Sequence, residues 1–125
     1  MYRVSGYFKN AHLLWADKDI LKKHKLYATS TTGQMIEDVA NLKIHKLLAG
    51  HFGGMQQMGS KISNNEIDLL IFLQDPANKK RTPDFYNVLN LCDQYNIPCA
   101  TNLPTAEVLI LALDRGDLDW RNMYK

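Results

Sequence analysis

The chain has 125 residues, of which 46% are hydrophobic and 22% charged, and its formal net charge is +2. That length fits one domain with one real core, so a single domain over 1–125 is expected. So small a positive surplus argues against a nucleic-acid partner, two cysteines exclude a secreted disulfide framework, and no apolar run approaches membrane-spanning length.

The opening MYRVSGYFKN is too short and polar for a secretory signal. A soluble, cytoplasmic protein is therefore expected, with Cys92 and Cys99 as buried reduced thiols. They lack metal-ligand spacing. The basic clusters Lys22, Lys23, Lys25 and Lys79, Lys80, Arg81 read as solvated faces.

Phe8, Ala11, Leu14, Trp15 and Leu21 fall at helical spacings, which predicts a helix over 8–24. A short strand, Leu26 to Thr29, leads into the polar stretch Ser30-Thr31-Thr32-Gly33. Met35, Ile36 and Val39 predict a short helix, and Lys43 to Leu48 a second short strand. Gly50, Gly53 and Gly54 mark a turn before a helix over 55–63. The near-continuous apolar run Ile67 to Leu73 suits a strand covered on both faces, ended by Asp75-Pro76. Pro83 is placed to open a helix over Asp84–Tyr95. Ile97 to Thr101 reads as a strand, 105–113 as an apolar helix, and 114–125 as a polar, aromatic tail.

Strands alternating with helices imply βαβ units and a mainly parallel, doubly wound sheet. Ligands of such sheets sit at the carboxyl ends of the strands, which here means the loops 29–33, 49–55, 74–84 and 101–105. Thr29 to Gly33 offers hydroxyls and main-chain amides at a helix N-terminus, an arrangement that suits phosphate or carboxylate and equally suits simple capping. Gly50-His51-Phe52-Gly53-Gly54 is a second anion-compatible loop, although glycines also serve plain turns and a loop histidine is often just exposed. Asp75 can orient a ligand or act as a base, or merely cap its Asp-Pro turn. Asp84 can do the same, or answer the dipole of the helix it opens. Thr101 and Asn102 close the rim; His12, His24 and His45 show no ligand spacing.

These blocks resemble a known family. Leu26-Tyr27-Ala28-Thr29-Ser30-Thr31-Thr32-Gly33 resembles the LYATGTTG phosphate loop of the methylglyoxal synthases, and Gly53-Gly54-Met55-Gln56-Gln57-Met58-Gly59 resembles their GGDQQxG. Asp68 to Pro76 is similar to DxxIFxxDP, Asn96 to Asn102 to NIPVATN, and Thr105-Ala106-Glu107 continues the match. The likeness runs from about residue 19 to 121. It implies a doubly wound α/β domain with a sheet of four or five strands, a homo-oligomer, usually a hexamer, and elimination of phosphate from dihydroxyacetone phosphate without a cofactor. By matching positions, Thr29, Thr31, Thr32, Gly33 and Gly50 would hold the phosphate, with Ser30, His51, Gly53 and Gly54 beside them. Asp75 and Asp84 would be the carboxylates of the active-site rim.

The sequence departs from the family pattern at chemical positions. Met55 stands where the family has its catalytic aspartate, and a thioether takes no proton from carbon at neutral pH. The family's first strand ends in a His-Asp pair followed by a phosphate-binding lysine, which this shortened N-terminus lacks. Residues 2–7 are a candidate replacement strand; failing that, the sheet has four strands. Lys9 and Arg3 are candidate replacements for the lysine, and Arg81 falls at the family's loop histidine. From this pattern the expectation is a module that binds a small phosphorylated or nucleotide-like ligand with impaired catalysis, as a sensor, regulator or sequestering protein. The alternative is an active methylglyoxal synthase, a carbon–oxygen lyase. A third reading makes the tail Asp117 to Arg121 a contact with a neighbouring subunit or a cover for the chain's own core.

Overall fold

The structure is a computed structural model that describes residues 3–7, 18–48, 53–73 and 83–123. Five parallel strands, β1 (Arg3–Tyr7), β2 (Lys25–Thr29), β3 (His45–Leu47), β4 (Leu69–Phe72) and β5 (Cys99–Ala100), form one sheet in the order β3-β2-β1-β4-β5. Of the two expectations for the sheet, the five-stranded one holds. The short opening segment enters as the central strand, with Val4 beside both Leu26 and Leu69, and Ser5 beside Tyr27 and Leu70.

Among the described residues, four helical segments lie between the strands, α1 (Lys18–Leu21), α2 (Ser30–Ala40), α3 (Gly54–Ser63) and α4 (Pro83–Gln94); α5 (Leu103–Arg115) and a closing 3-10 helix at Asp119–Met123 follow β5. Strand side chains alternate between faces, so the sheet divides the interior into two clusters. Val4, Leu26, Ala28, Leu69, Ile71 and Ala100 face Leu21 of α1, Ile36 and Ala40 of α2, and Ile110 and Leu113 of α5. Leu70 and Phe72 face Met58 and Ile62 of α3, and Phe85, Val88 and Cys92 of α4. Two helical layers around a central sheet explain why β4 is apolar at every position.

Several predicted elements are shorter in the structure, and each difference has a local cause. Of the helix predicted over 8–24, residues 8–17 lie outside the described residues; α1 stops at Leu21, where Lys22, Lys23 and His24 close a turn by bonding back to Lys18, Ile20 and Leu21. The strand predicted from Ile67 begins at Leu69, because the Ile67 carbonyl and the Asp68 carboxylate are taken by Arg121. The strand predicted from Ile97 begins at Cys99, because the Ile97 amide caps α4 through Cys92 O at 2.8 Å and Pro98 has no amide to donate. The final helix is longer than predicted, starting at Leu103 behind an Asn102 cap.

The turns that lead from helix to strand share one chemistry. Asn41, Asn65 and Asn96, just ahead of β3, β4 and β5, all have φ between 54° and 57°. Asn tolerates this left-handed conformation better than most residues. It closes a Schellman motif after α3, where Glu66 bonds Lys61 O and Asn65 bonds Ile62 O, and Gly116 does the same after α5.

The tail folds back on its own domain. Leu118 joins the first core cluster, and Arg121, 3% exposed, reaches the fully buried Asp68. Its guanidinium donates from Nε to Asp68 Oδ1 at 3.4 Å, from Nη2 to Asn65 Oδ1 at 3.0 Å and Ile67 O at 3.2 Å, and from Nη1 to Asn96 O. Trp120 remains partly exposed, with the Arg121 guanidinium 5.9 Å from its ring. Cys92 is buried as expected, but Cys99 is only half-buried. Cys92 donates to Cys99, and this bond together with burial pushes the Cys92 thiol far up and draws that of Cys99 down. Among the described residues, one buried side-chain hydroxyl has no partner, that of Ser5 in the central strand.

Two outcomes follow from these contacts. Arg121→Ala leaves the Asp68 carboxylate buried without its cation and lowers the urea-unfolding free energy by about 3–5 kcal/mol. His24, its pKa lowered chiefly by burial with Lys23 adding repulsion, binds fewer protons folded than unfolded. Stability is therefore full above its ordinary pKa of about 6.5 and declines as pH falls through that value toward the lowered folded one. His24→Gln flattens this part of a plot of unfolding midpoint against pH; an unchanged slope removes His24 as its source.

Candidate active site

The strand order reverses direction between β1 and β4, since β2 and β3 build outward on one side and β4 and β5 on the other. A crevice opens at such a switch point, beyond the carboxyl ends of the strands. That edge receives the chain after Tyr7, Thr29, Leu47, Phe72 and Ala100. Arg3 begins β1 and so lies at the opposite end of the sheet, which removes it as a replacement for the family's phosphate lysine. Lys9 lies outside the described residues.

Thr29 to Gly33 is not a loop. β2 ends at Thr29 and α2 begins at Ser30 with no connecting residue, so these five positions are the end of a strand and the first turn of a helix. Thr29 is the N-cap, yet its side chain makes no capping hydrogen bond, and no acidic residue occupies the first turn. The positive end of the helix dipole and its first amides are thus met by neither a capping side chain nor an acid of the helix's own first turn. Thr29 and Thr32 are 2% and 4% exposed, Ser30 is half-buried, and Gly33 is buried. Gly33 also has a packing reason: a Cβ there would lie 2.9 Å from Lys46 Cγ and 3.2 Å from Ile44 Cγ2.

α3 begins in the same way. Its N-cap, Gly53, has φ 97°, a conformation that suits glycine, and neither a side-chain cap nor a first-turn acid is present. α2 and α3 pack on opposite faces of the sheet, and both start at its carboxyl edge, after neighbouring strands. The structure therefore brings Thr29–Gly33 and Gly53–Gly54 to one edge as a pair of uncapped helix N-termini. Asp84, exposed in the first turn of α4, starts from the same edge. Gly50, His51 and Asp75 lie outside the described residues.

α5 provides the contrast. Asn102 Oδ1 accepts from the Thr105 amide at 3.0 Å and from Thr105 Oγ1 at 2.8 Å, so the side chain that was expected to close the rim serves as a cap. Met55 is half-buried and packs against the cluster of Met58, Phe72 and Phe85. Gln57 received no role from the sequence, although it sits in the Gly-Gly-Met-Gln-Gln block. Its Oε1 accepts from the Leu48 amide at 2.7 Å, a long-range contact that no local pattern encodes.

The MGS-like domain family profile matches residues 13–101. The methylglyoxal synthase of Caldicellulosiruptor saccharolyticus is 54% identical over 109 residues, covering 86% of this chain and 77% of that protein. The chain belongs to the methylglyoxal synthase family. The methylglyoxal synthase of Thermoanaerobacterium thermosaccharolyticum is 50% identical over 111 residues, covering 88% of this chain and 83% of that one. Among solved structures, the crystal structure of methylglyoxal synthase from Elizabethkingia anophelis NUHP1 superposes with a TM-score of 0.76 at 28% identity, covering 87% of this chain and 76% of that one. The family fold, a parallel sheet flanked by helices, is thus the fold of this chain.

One substitution separates capping from ligand contact on the rim. Asn102→Ala lowers the unfolding free energy by about 1 kcal/mol through loss of the α5 cap, whereas Asn102→Ser retains most of that stability in the same denaturation experiment.

Proposed function

We propose that this protein is a methylglyoxal synthase that eliminates phosphate from dihydroxyacetone phosphate. The observation that carries the reading is 54% identity to a methylglyoxal synthase over 86% of the chain. The relatives support a lyase better than the sensor or sequestering module drawn from the altered positions.

The paired N-termini of α2 and α3 supply what a phosphate dianion needs: free amides, two aligned dipoles, and no competing carboxylate in either first turn. Thr29, Ser30, Thr31, Thr32 and Gly33 on one side, and Gly50, His51, Gly53 and Gly54 on the other, are the proposed phosphate contacts. In the reaction a carboxylate accepts a proton from the hydroxymethyl carbon. The electron pair passes through the enediolate, and the bond from carbon to the phosphate oxygen breaks, releasing inorganic phosphate and the enol of methylglyoxal. Met55 cannot be that base. Asp75, three residues beyond the end of β4, is the proposed acceptor, with Asp84 as the second carboxylate of the rim.

Met55 itself favours a second reading, a phosphate-ester-binding homologue without turnover. A half-buried thioether packed into the core is a residue chosen for volume rather than for proton transfer.

Release of inorganic phosphate from dihydroxyacetone phosphate decides between them. The first reading expects turnover that Asp75→Asn reduces by at least about a hundredfold, the usual scale for a lost general base. Wild-type protein that is inert but binds the ester, and gains turnover on Met55→Asp, establishes the second.

A further inference from the structure

We propose that Gln57 is a positioning residue that fixes the N-terminus of α3 against the end of β3, and so sets the geometry of the anion site. The inference rests on the reading of that N-terminus as a phosphate contact.

The argument begins at the edge of the sheet. Among the described residues β3 is an edge strand, and its strand neighbour, β2, stops at Thr29, opposite Leu47. Because α2 starts at Ser30, no strand runs beside Leu48, and the Leu48 amide has lost its ladder partner. Leu48 is an exposed residue, at 54%. Its amide is met by Gln57 Oε1 at 2.7 Å, across nine residues of sequence. The bond is short, and it reaches from the edge strand to the first turn of α3.

The same residue holds the other end. The Gln57 amide donates to Gly53 O at 3.0 Å, the first hydrogen bond of α3. Gln57 thus binds Leu48 through its side chain and Gly53 through its main chain. The Leu48 side chain adds a third contact: its Cδ1 lies 3.7 Å from where a Cβ on Gly53 would stand. Gly53, with φ 97°, is the hinge whose conformation aims the first amides of α3. A side chain that bridges Leu48 to the first turn of α3 fixes this aim relative to β3, and hence relative to the N-terminus of α2 that follows β2. Without the bridge, the two N-termini no longer keep the spacing that one phosphate group requires.

The test compares wild-type protein with Gln57→Met, which keeps length and loses the acceptor, and with Gln57→Glu, which keeps an acceptor oxygen. Two quantities are read: hydrogen exchange at the Leu48 amide, and the affinity for inorganic phosphate and dihydroxyacetone phosphate by calorimetric titration. Gln57→Met is expected to speed Leu48 exchange and to weaken binding of both probes roughly twofold to tenfold, the range one net hydrogen bond supports. The urea midpoint should stay near that of wild type, and Gln57→Glu should keep Leu48 protected. Unchanged Leu48 exchange in Gln57→Met overturns the proposal. So does faster exchange with unaltered affinity, which leaves the phosphate site standing without this positioning residue. Wild-type protein that binds neither probe overturns the site reading itself, and the positioning role with it.

Discussion

The contact between Arg121 and Asp68 ties the closing 3-10 helix to the turns that lead into β4 and β5. Asp68 is fully buried at the start of β4, and a carboxylate in that position is tolerated only with a cation beside it. Arg121 comes from the closing 3-10 helix, 53 residues away, and its remaining donors go to Asn65, Ile67 and Asn96. One guanidinium therefore joins the chain terminus to the turns that feed β4 and β5. With this end of the sheet locked, both strands enter at a defined height, and their carboxyl ends emerge at a defined edge.

That arrangement divides the molecule by task. At the amino ends of the strands, asparagines in left-handed turns and the Arg121 contacts satisfy backbone groups of the turns. At the carboxyl ends, α2 and α3 open with no side-chain cap and no acid in the first turn. α5, on the same edge, is capped by Asn102. The uncapped ends belong to the two helices that follow neighbouring strands, which is where two dipoles can act on a single anion.

Membership of the methylglyoxal synthase family rests on identity along most of the chain, while Met55 concerns one position. The structure gives Met55 a physical place, half-buried against the core cluster that contains Met58, Phe72 and Phe85. The thioether at position 55 thus contributes packing and offers no proton acceptor.

What the amino-acid sequence determined by itself was local or periodic. The apolar run around β4 announced a strand covered on both faces, the alternation of strands and helices a parallel sheet, and the Thr29–Gly33 and Gly53–Gly59 blocks the family. These properties follow from neighbours in the chain, so they can be read along it. Tertiary structure decided the rest. It placed Arg3–Tyr7 at the centre of the sheet, a position governed by pairing with residues 22 and 65 positions later in the chain. It buried Arg121, a residue whose charge argues for the surface until Asp68 is known to lie beneath it. It joined Gln57 to Leu48 because β2 ends early and leaves one amide unpaired. Each of these depends on contacts between distant segments, where the free energy of burial and hydrogen bonding is settled only once the whole sheet is assembled.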